Sequence, residues 1–151
     1  MLISTDVIGR QLAVADVTID RGRVRRFALA IGETDPVFSE LEAARKAGYP
    51  DLPVPPTFLF CADLEICEPL TMLANLGADV RQVLHGEQSF VYFAPVHAGE
   101  TVTLRAHIAD VYTRKGGRLE FLTRETTVSR GDGTTVAELS STLVVKNPEA
   151  V

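Results

Sequence analysis

His85 and Glu87 stand two residues apart and bring an imidazole close to a carboxylate. Such a pair moves protons near neutral pH, because imidazole titrates there and a carboxylate orients its ring. On a strand, residues i and i+2 share a face, so the spacing predicts an acid/base pair if this segment is extended. A structural role stays open as well, since the same two groups can satisfy a buried turn, a helix end or a subunit interface. The other two histidines read differently. His97 sits beside Gly99 in an apparent turn and His107 on the polar side of an alternating run, which predicts solvated positions for both. Cys61 and Cys67 lie six apart, with no further cysteine or clustered histidine nearby. Structural zinc takes four ligands and often starts from a closely spaced cysteine pair, so the pattern predicts buried, reduced thiols and no metal site.

The elements that must position these side chains are legible in the hydrophobic pattern. Residues 11–19 predict a strand with imperfect alternation. Asp20 stands as N-cap before 21–31, where Val24, Phe27, Ala28 and Ile31 recur at helical spacing and Gly32 ends the run. After the loop 33–38, Ser39-Glu40-Leu41-Glu42 reads as a capping box that opens a helix stopping near Gly48. Pro50, Pro53, Pro55 and Pro56 make an extended approach. Pro56 is suited to the first turn of the next helix, 57–67, whose opening residues are apolar on most sides and predict burial against a sheet. Glu68-Pro69 breaks it, and 70–76 adds a further helical piece. From residue 82 the period switches to two. Val102, Leu104, Ala106 and Ile108 alternate with Thr101, Thr103, Arg105 and His107. Turn signals at Lys115-Gly116-Gly117 and Gly131-Asp132-Gly133 separate strands over 99–114, 118–130 and 134–147, preceded by one over 83–96. The order predicts an α+β fold in which an antiparallel sheet wraps around one long helix, as a single domain over residues 1–151.

Composition narrows the partner classes. The chain has 151 residues, 46% hydrophobic and 23% charged, enough for one well-packed core. Twenty acidic against fifteen basic side chains give a formal charge of -5, which argues against a nucleic-acid partner. No basic segment followed by an apolar stretch opens the chain, and no apolar run approaches the ~20 residues needed to cross a bilayer. The expectation is a cytoplasmic protein with no membrane contact.

Two stretches carry a family likeness. Gly32-Glu33-Thr34-Asp35-Pro36-Val37-Phe38, continued by Glu42–Tyr49 and by Leu52-Pro53-Val54-Pro55-Pro56-Thr57-Phe58, resembles the hydratase motif of the MaoC-like hydratase/dehydratase family. That motif reads Gly-Asp-x-Asn-Pro-x-His, then a helix and a proline-rich approach to the central helix. Val83-Leu84-His85-Gly86-Glu87-Gln88-Ser89-Phe90, with Tyr92, Pro95 and Gly99-Glu100-Thr101, is similar to the fatty-acid-synthase-like dehydratase domains of that family. The likeness spans most of residues 10–146. It implies a hotdog fold that adds water to, or removes it from, an enoyl or 3-hydroxyacyl thioester. Coenzyme A or an acyl carrier would then be part of the substrate, with no separate cofactor. Hotdog sheets leave edges to be covered, which implies a homodimer or a heterodimer with another hotdog subunit.

The resemblance also implies roles for particular residues. In catalytic members the motif's Asp and His handle the water and the proton, and amides at the start of the central helix hold the thioester oxygen. Here the Asp position is Glu33, the Asn position Asp35 and the His position Phe38. Glu33 keeps a carboxylate one methylene further out, and a misplacement of ~1 Å can cost about 10²-fold. Phe38 cannot move a proton, and its expected role is to line an acyl channel. Pro56 lacks an N–H, which makes Thr57 and Phe58 the candidate donors to the oxygen. Arg25, Arg26, Arg45 and Lys46 would meet coenzyme A phosphates or an acidic carrier, or simply solvate their helices. Three functions follow: a self-sufficient hydratase using Glu33 or His85 with Glu87, a degenerate acyl-binding half served by a dyad-bearing partner, and an acyl-CoA thioesterase. Loss of the motif His favours the degenerate half.

Overall fold

A computed structural model describes residues 3–147 of the chain. Its sheet has five antiparallel strands: β1 (Gln11–Thr18), β2 (Val83–Tyr92), β3 (Thr101–Arg114), β4 (Leu119–Arg130) and β5 (Thr135–Lys146). Their spatial order is β1-β3-β4-β5-β2. The meander β3-β4-β5 forms the centre as the turn signals predict, and β1 and β2 are the two edges. Along β3 the alternation holds, and Val102, Leu104, Ala106 and Ile108 are all fully buried.

The helices are α1 (Arg21–Ala30), α2 (Leu41–Lys46), α3 (Phe58–Ile66) and α4 (Pro69–Asn75). α3 is the central helix. Its Phe58, Leu59 and Ala62 join Leu104, Val128, Val136 and Leu139 of the sheet in the main core, and full burial of a side chain such as Leu59 is worth about 1.5–3 kcal/mol. A second core lies beyond it, where Met72 and Leu73 of α4 meet Ile108, Leu122, Leu143 and Val145. Between the two, Asp63 of α3 bonds Arg124 and Thr126 of β4, and Arg124 also donates to the Cys67 carbonyl at 2.7 Å. Asp63 and Arg124 are both about 1% exposed, so the central helix is fastened to the sheet by a paired, hydrogen-bonded charge.

Helix starts differ from the sequence expectation in two places. Asp20 caps α1 as read, accepting from the Arg23 amide at 2.8 Å. The capping box at Ser39 does not form: the N-cap of α2 is Glu40, without a side-chain bond. Ser39 instead closes the short 3-10 turn at 36–38, its amide donating to the Pro36 carbonyl, and its own carbonyl accepts Arg25 Nε at 2.8 Å. Pro56 stays outside the central helix. The Phe58 amide donates back to the Pro55 carbonyl at 2.9 Å, and this tight turn makes Thr57 the N-cap.

Candidate functional site

The loop 32–38 leaves α1 through Gly32, whose φ of 74° favours glycine. Glu33 Oε1 accepts the amides of Thr34 and Asp35 at 2.8 and 2.9 Å, and Asp35 Oδ1 accepts the Val37 amide at 3.0 Å. Both motif carboxylates therefore hold the loop's own backbone. The turn they shape delivers Phe38 to an apolar depression of about 330 Å³, lined also by Tyr49, Pro53, Val54, Pro56, Tyr92, Pro95 and Val96. This depression lies at the start of the central helix. Glu33 and Asp35 are not among its walls; Asp35 instead borders an open surface hollow with Lys46 and Tyr49.

At the helix start the two candidate donors part company. Phe58 is buried and its N–H is spent on Pro55. Thr57 is exposed and its N–H meets no acceptor among the described residues. The preceding carbonyl, that of Pro56, accepts the Tyr92 hydroxyl at 2.6 Å. Burial pushes the Tyr92 hydroxyl up to about 12, so it remains a donor across the working pH range.

His85 and Glu87 do not form the expected couple. The ladder between β2 and β5 shifts register between them: His85 lies opposite Leu143 and Glu87 opposite Thr142, adjacent residues on β5. A bulge of this kind cancels the two-residue alternation, so the two side chains no longer share a face. His85 Nε2 meets the Glu87 backbone carbonyl at 3.0 Å rather than its carboxylate. Gly86 fits closely there, since a Cβ would stand 2.8 Å from Val144 Cγ2 and force a neighbour to shift. The His85 ring packs against Phe60 at 5.5 Å in a second apolar depression of about 310 Å³, which shares no lining residue with the one holding Phe38.

His97 is the residue that pattern reading misplaced. It is buried, because 52–54 pairs with 96–98 through Val54 N–H to Val96 and Ala98 N–H to Leu52, each 2.9 Å. Glu100 Oε1 meets both the His97 amide at 2.9 Å and Nδ1 at 2.7 Å, and Glu100 Oε2 accepts Arg130 Nε at 2.8 Å. Arg130 also donates to the Pro95 carbonyl at 2.8 Å. Burial pushes the Glu100 carboxyl up, but the bonds from Arg130 and His97 outweigh it and hold it below its ordinary value. The network braces Pro53, Pro95 and Val96, three walls of the depression. Gly99-Glu100 in the sequence hinted at the turn, not at the partner strand. His107 lies on the polar outer face as read, 3.8 Å from Glu125. Cys61 and Cys67 are half-buried and free.

Residues 6–139 match the family model described as the FAS1-like dehydratase domain region. The chain belongs to this family. Its neighbours place that family among the MaoC-like hotdog dehydratases, and it has a relative that matches it end to end. A UPF0336 protein of Clavibacter michiganensis subsp. michiganensis is 36% identical over 151 residues, covering 99% of this chain and all of the relative. Among solved structures, a chain of the HadBC (3R-hydroxyacyl-ACP dehydratase) complex of Mycobacterium tuberculosis superposes with a TM-score of 0.77 at 26% identity, over 93% of this chain and 98% of that one. A MaoC-like dehydratase gives a TM-score of 0.78 at 21% identity, over 93% of this chain and 43% of that one, which speaks for the hotdog fold. Among the described residues of this dehydratase-family chain no three His, Cys, Asp or Glu side chains gather as a metal site. No helix among them is long and apolar enough to cross a membrane.

Proposed function

We propose that this chain is the acyl-thioester-binding, catalytically degenerate half of a cytoplasmic hotdog hydratase/dehydratase pair. The observation that carries the reading is Phe38. Where the family motif ends in an imidazole, this chain puts a phenyl ring into an apolar depression at the start of the central helix. Such a surface binds an acyl chain but supplies no group for proton transfer. Thr57 N–H and the positive end of α3 polarise the thioester carbonyl, and the Asp/His dyad comes from a partner hotdog. The substrate carries its own coenzyme A or carrier arm, and no other cofactor enters. The backbone roles of Glu33 and Asp35 support the same reading, as does the bulge that parts His85 from Glu87. So does the HadBC neighbour, itself a complex.

Crotonyl-CoA tests this reading, with hydration and free CoA followed in parallel. The chain alone should bind crotonyl-CoA and hydrate it slowly or not at all, and adding a hotdog partner that carries an intact Asp…His motif should restore rapid hydration. Efficient hydration by the chain alone would overturn the degenerate-half reading. Release of CoA without hydration would point to a thioesterase instead.

A further inference from the structure

Tyr92 and the peptide before the central helix carry an inference that rests on the acyl-thioester reading above. Tyr92 ends the edge strand β2, its ring stacked nearly parallel on Phe90 at 6.5 Å. Its hydroxyl reaches across 36 residues of sequence to the Pro56 carbonyl at 2.6 Å. Pro56 has no N–H, so this carbonyl is the only hydrogen-bonding group its backbone offers.

A peptide unit is planar, and the 56–57 unit is trans, since the described residues contain no cis bonds. In a trans unit the C=O and the following N–H lie in that plane and point in opposite directions. Holding the Pro56 oxygen therefore also sets the direction of the Thr57 N–H. Both residues are exposed, and Thr57 has no side-chain cap bond. The Phe58 N–H to Pro55 bond closes the turn around this peptide, but the central peptide of such a turn can take either of two opposite orientations, and the Tyr92 bond selects one. A donor on the carbonyl oxygen further polarises the amide and strengthens its N–H as a donor. With the Phe58 N–H already spent, Thr57 is the amide on which this effect bears.

We propose that Tyr92 is a positioning residue: by binding the Pro56 carbonyl it orients and strengthens the Thr57 N–H as the donor to the thioester oxygen. Tyr92 touches no reacting atom in this role and acts only through the shared peptide. A mere strut between β2 and the helix would keep the fold yet leave the bound carbonyl indifferent to the hydroxyl.

The test uses the full chain and crotonyl-CoA labelled with ¹³C at the thioester carbonyl, read by difference infrared spectroscopy beside a binding titration. Three proteins are compared: the unsubstituted chain, Tyr92→Phe, and the chain carrying 3-fluorotyrosine at position 92, a stronger donor of nearly the same shape. The bound carbonyl band should fall to lower frequency in the order fluorotyrosine, tyrosine, phenylalanine, with the largest displacement first. Affinity in Tyr92→Phe should drop by about 3- to 10-fold, the net worth of the Thr57 hydrogen bond to the thioester oxygen that the misoriented amide would lose. Should Tyr92→Phe fold poorly, fluorotyrosine against tyrosine still decides the order. Identical carbonyl bands in proteins that all bind crotonyl-CoA would overturn the role of Tyr92 and leave the acyl-binding reading standing. No binding by the unsubstituted chain would overturn the acyl-binding reading and this inference with it.

Discussion

Substituting Glu33→Asp together with Phe38→His would give the loop at 32–38 the carboxylate and imidazole that the family motif carries. Hydration of crotonyl-CoA by the chain alone should then rise by about 10²-fold, the lower end of what general acid–base groups contribute, because Glu33 also holds the loop amides. A second residue-scale outcome concerns Glu100. Its carboxyl is held below its ordinary value of 4.5 in the folded protein. The stability it contributes is complete above about pH 4.5 and disappears as pH falls through the lower folded-state value. Urea unfolding as a function of pH should show the gap between the native chain and Glu100→Gln closing on acidification. A gap that widened instead would contradict the ion-pair assignment. At the candidate site, the motif resemblance marked position 38, and residue type then says that a phenyl ring there cannot move a proton in any fold. The His85–Glu87 couple was misread because the ladder shifts register at Gly86, which strand spacing does not encode. His97 was misread because a proline-rich segment far upstream buries it.

At the scale of elements, the central helix was found within a residue or so of its ends, and its neighbours follow the hydrophobic period closely. What the pattern hid is the polar fastening beneath it. Asp63 looks like a surface residue on a helix, yet it is buried against Arg124 and Thr126 of β4. Asp63→Asn should cost about 3–5 kcal/mol in chemical denaturation, since Arg124 would be left buried without its counter-charge. Leu59→Asp should cost more than about 4 kcal/mol, putting an unpaired charge at a fully buried position. Phe60, also on the apolar side by sequence, is only half-buried against His85, so Phe60→Asp should be the milder change. Melting temperatures in the reverse order would place the helix differently. The capping box at Ser39 failed for a reason sequence spacing cannot show: the preceding 3-10 turn had already used that residue.

The whole molecule presents β2 as an open edge, with Leu84 and Val91 each 51% exposed along it and Phe93, 58% exposed, just past its end. Unpaired strand edges with exposed apolar side chains are normally covered. Light scattering should therefore find a dimer of this chain, or a one-to-one pair once a partner hotdog is added, and Val91→Lys should weaken either. A stable monomer at micromolar concentration with the partner present would count against pairing through this edge. The strand order has a further consequence, for the speed of folding. β3, β4 and β5 are joined by tight turns, whereas β1 must find β3 and β2 must find β5 across long stretches of chain. Closing those long loops costs entropy before any contact repays it, so the meander should form first and the two edges add late. Truncations inside the meander, such as Val128→Ala, should then slow refolding, while Val17→Ala on β1 should chiefly accelerate unfolding. Chevron plots of the two variants would separate these cases. On that account the edge offered to a partner is among the last parts of the chain to settle, and a partner present during folding would meet it while it is still being laid down.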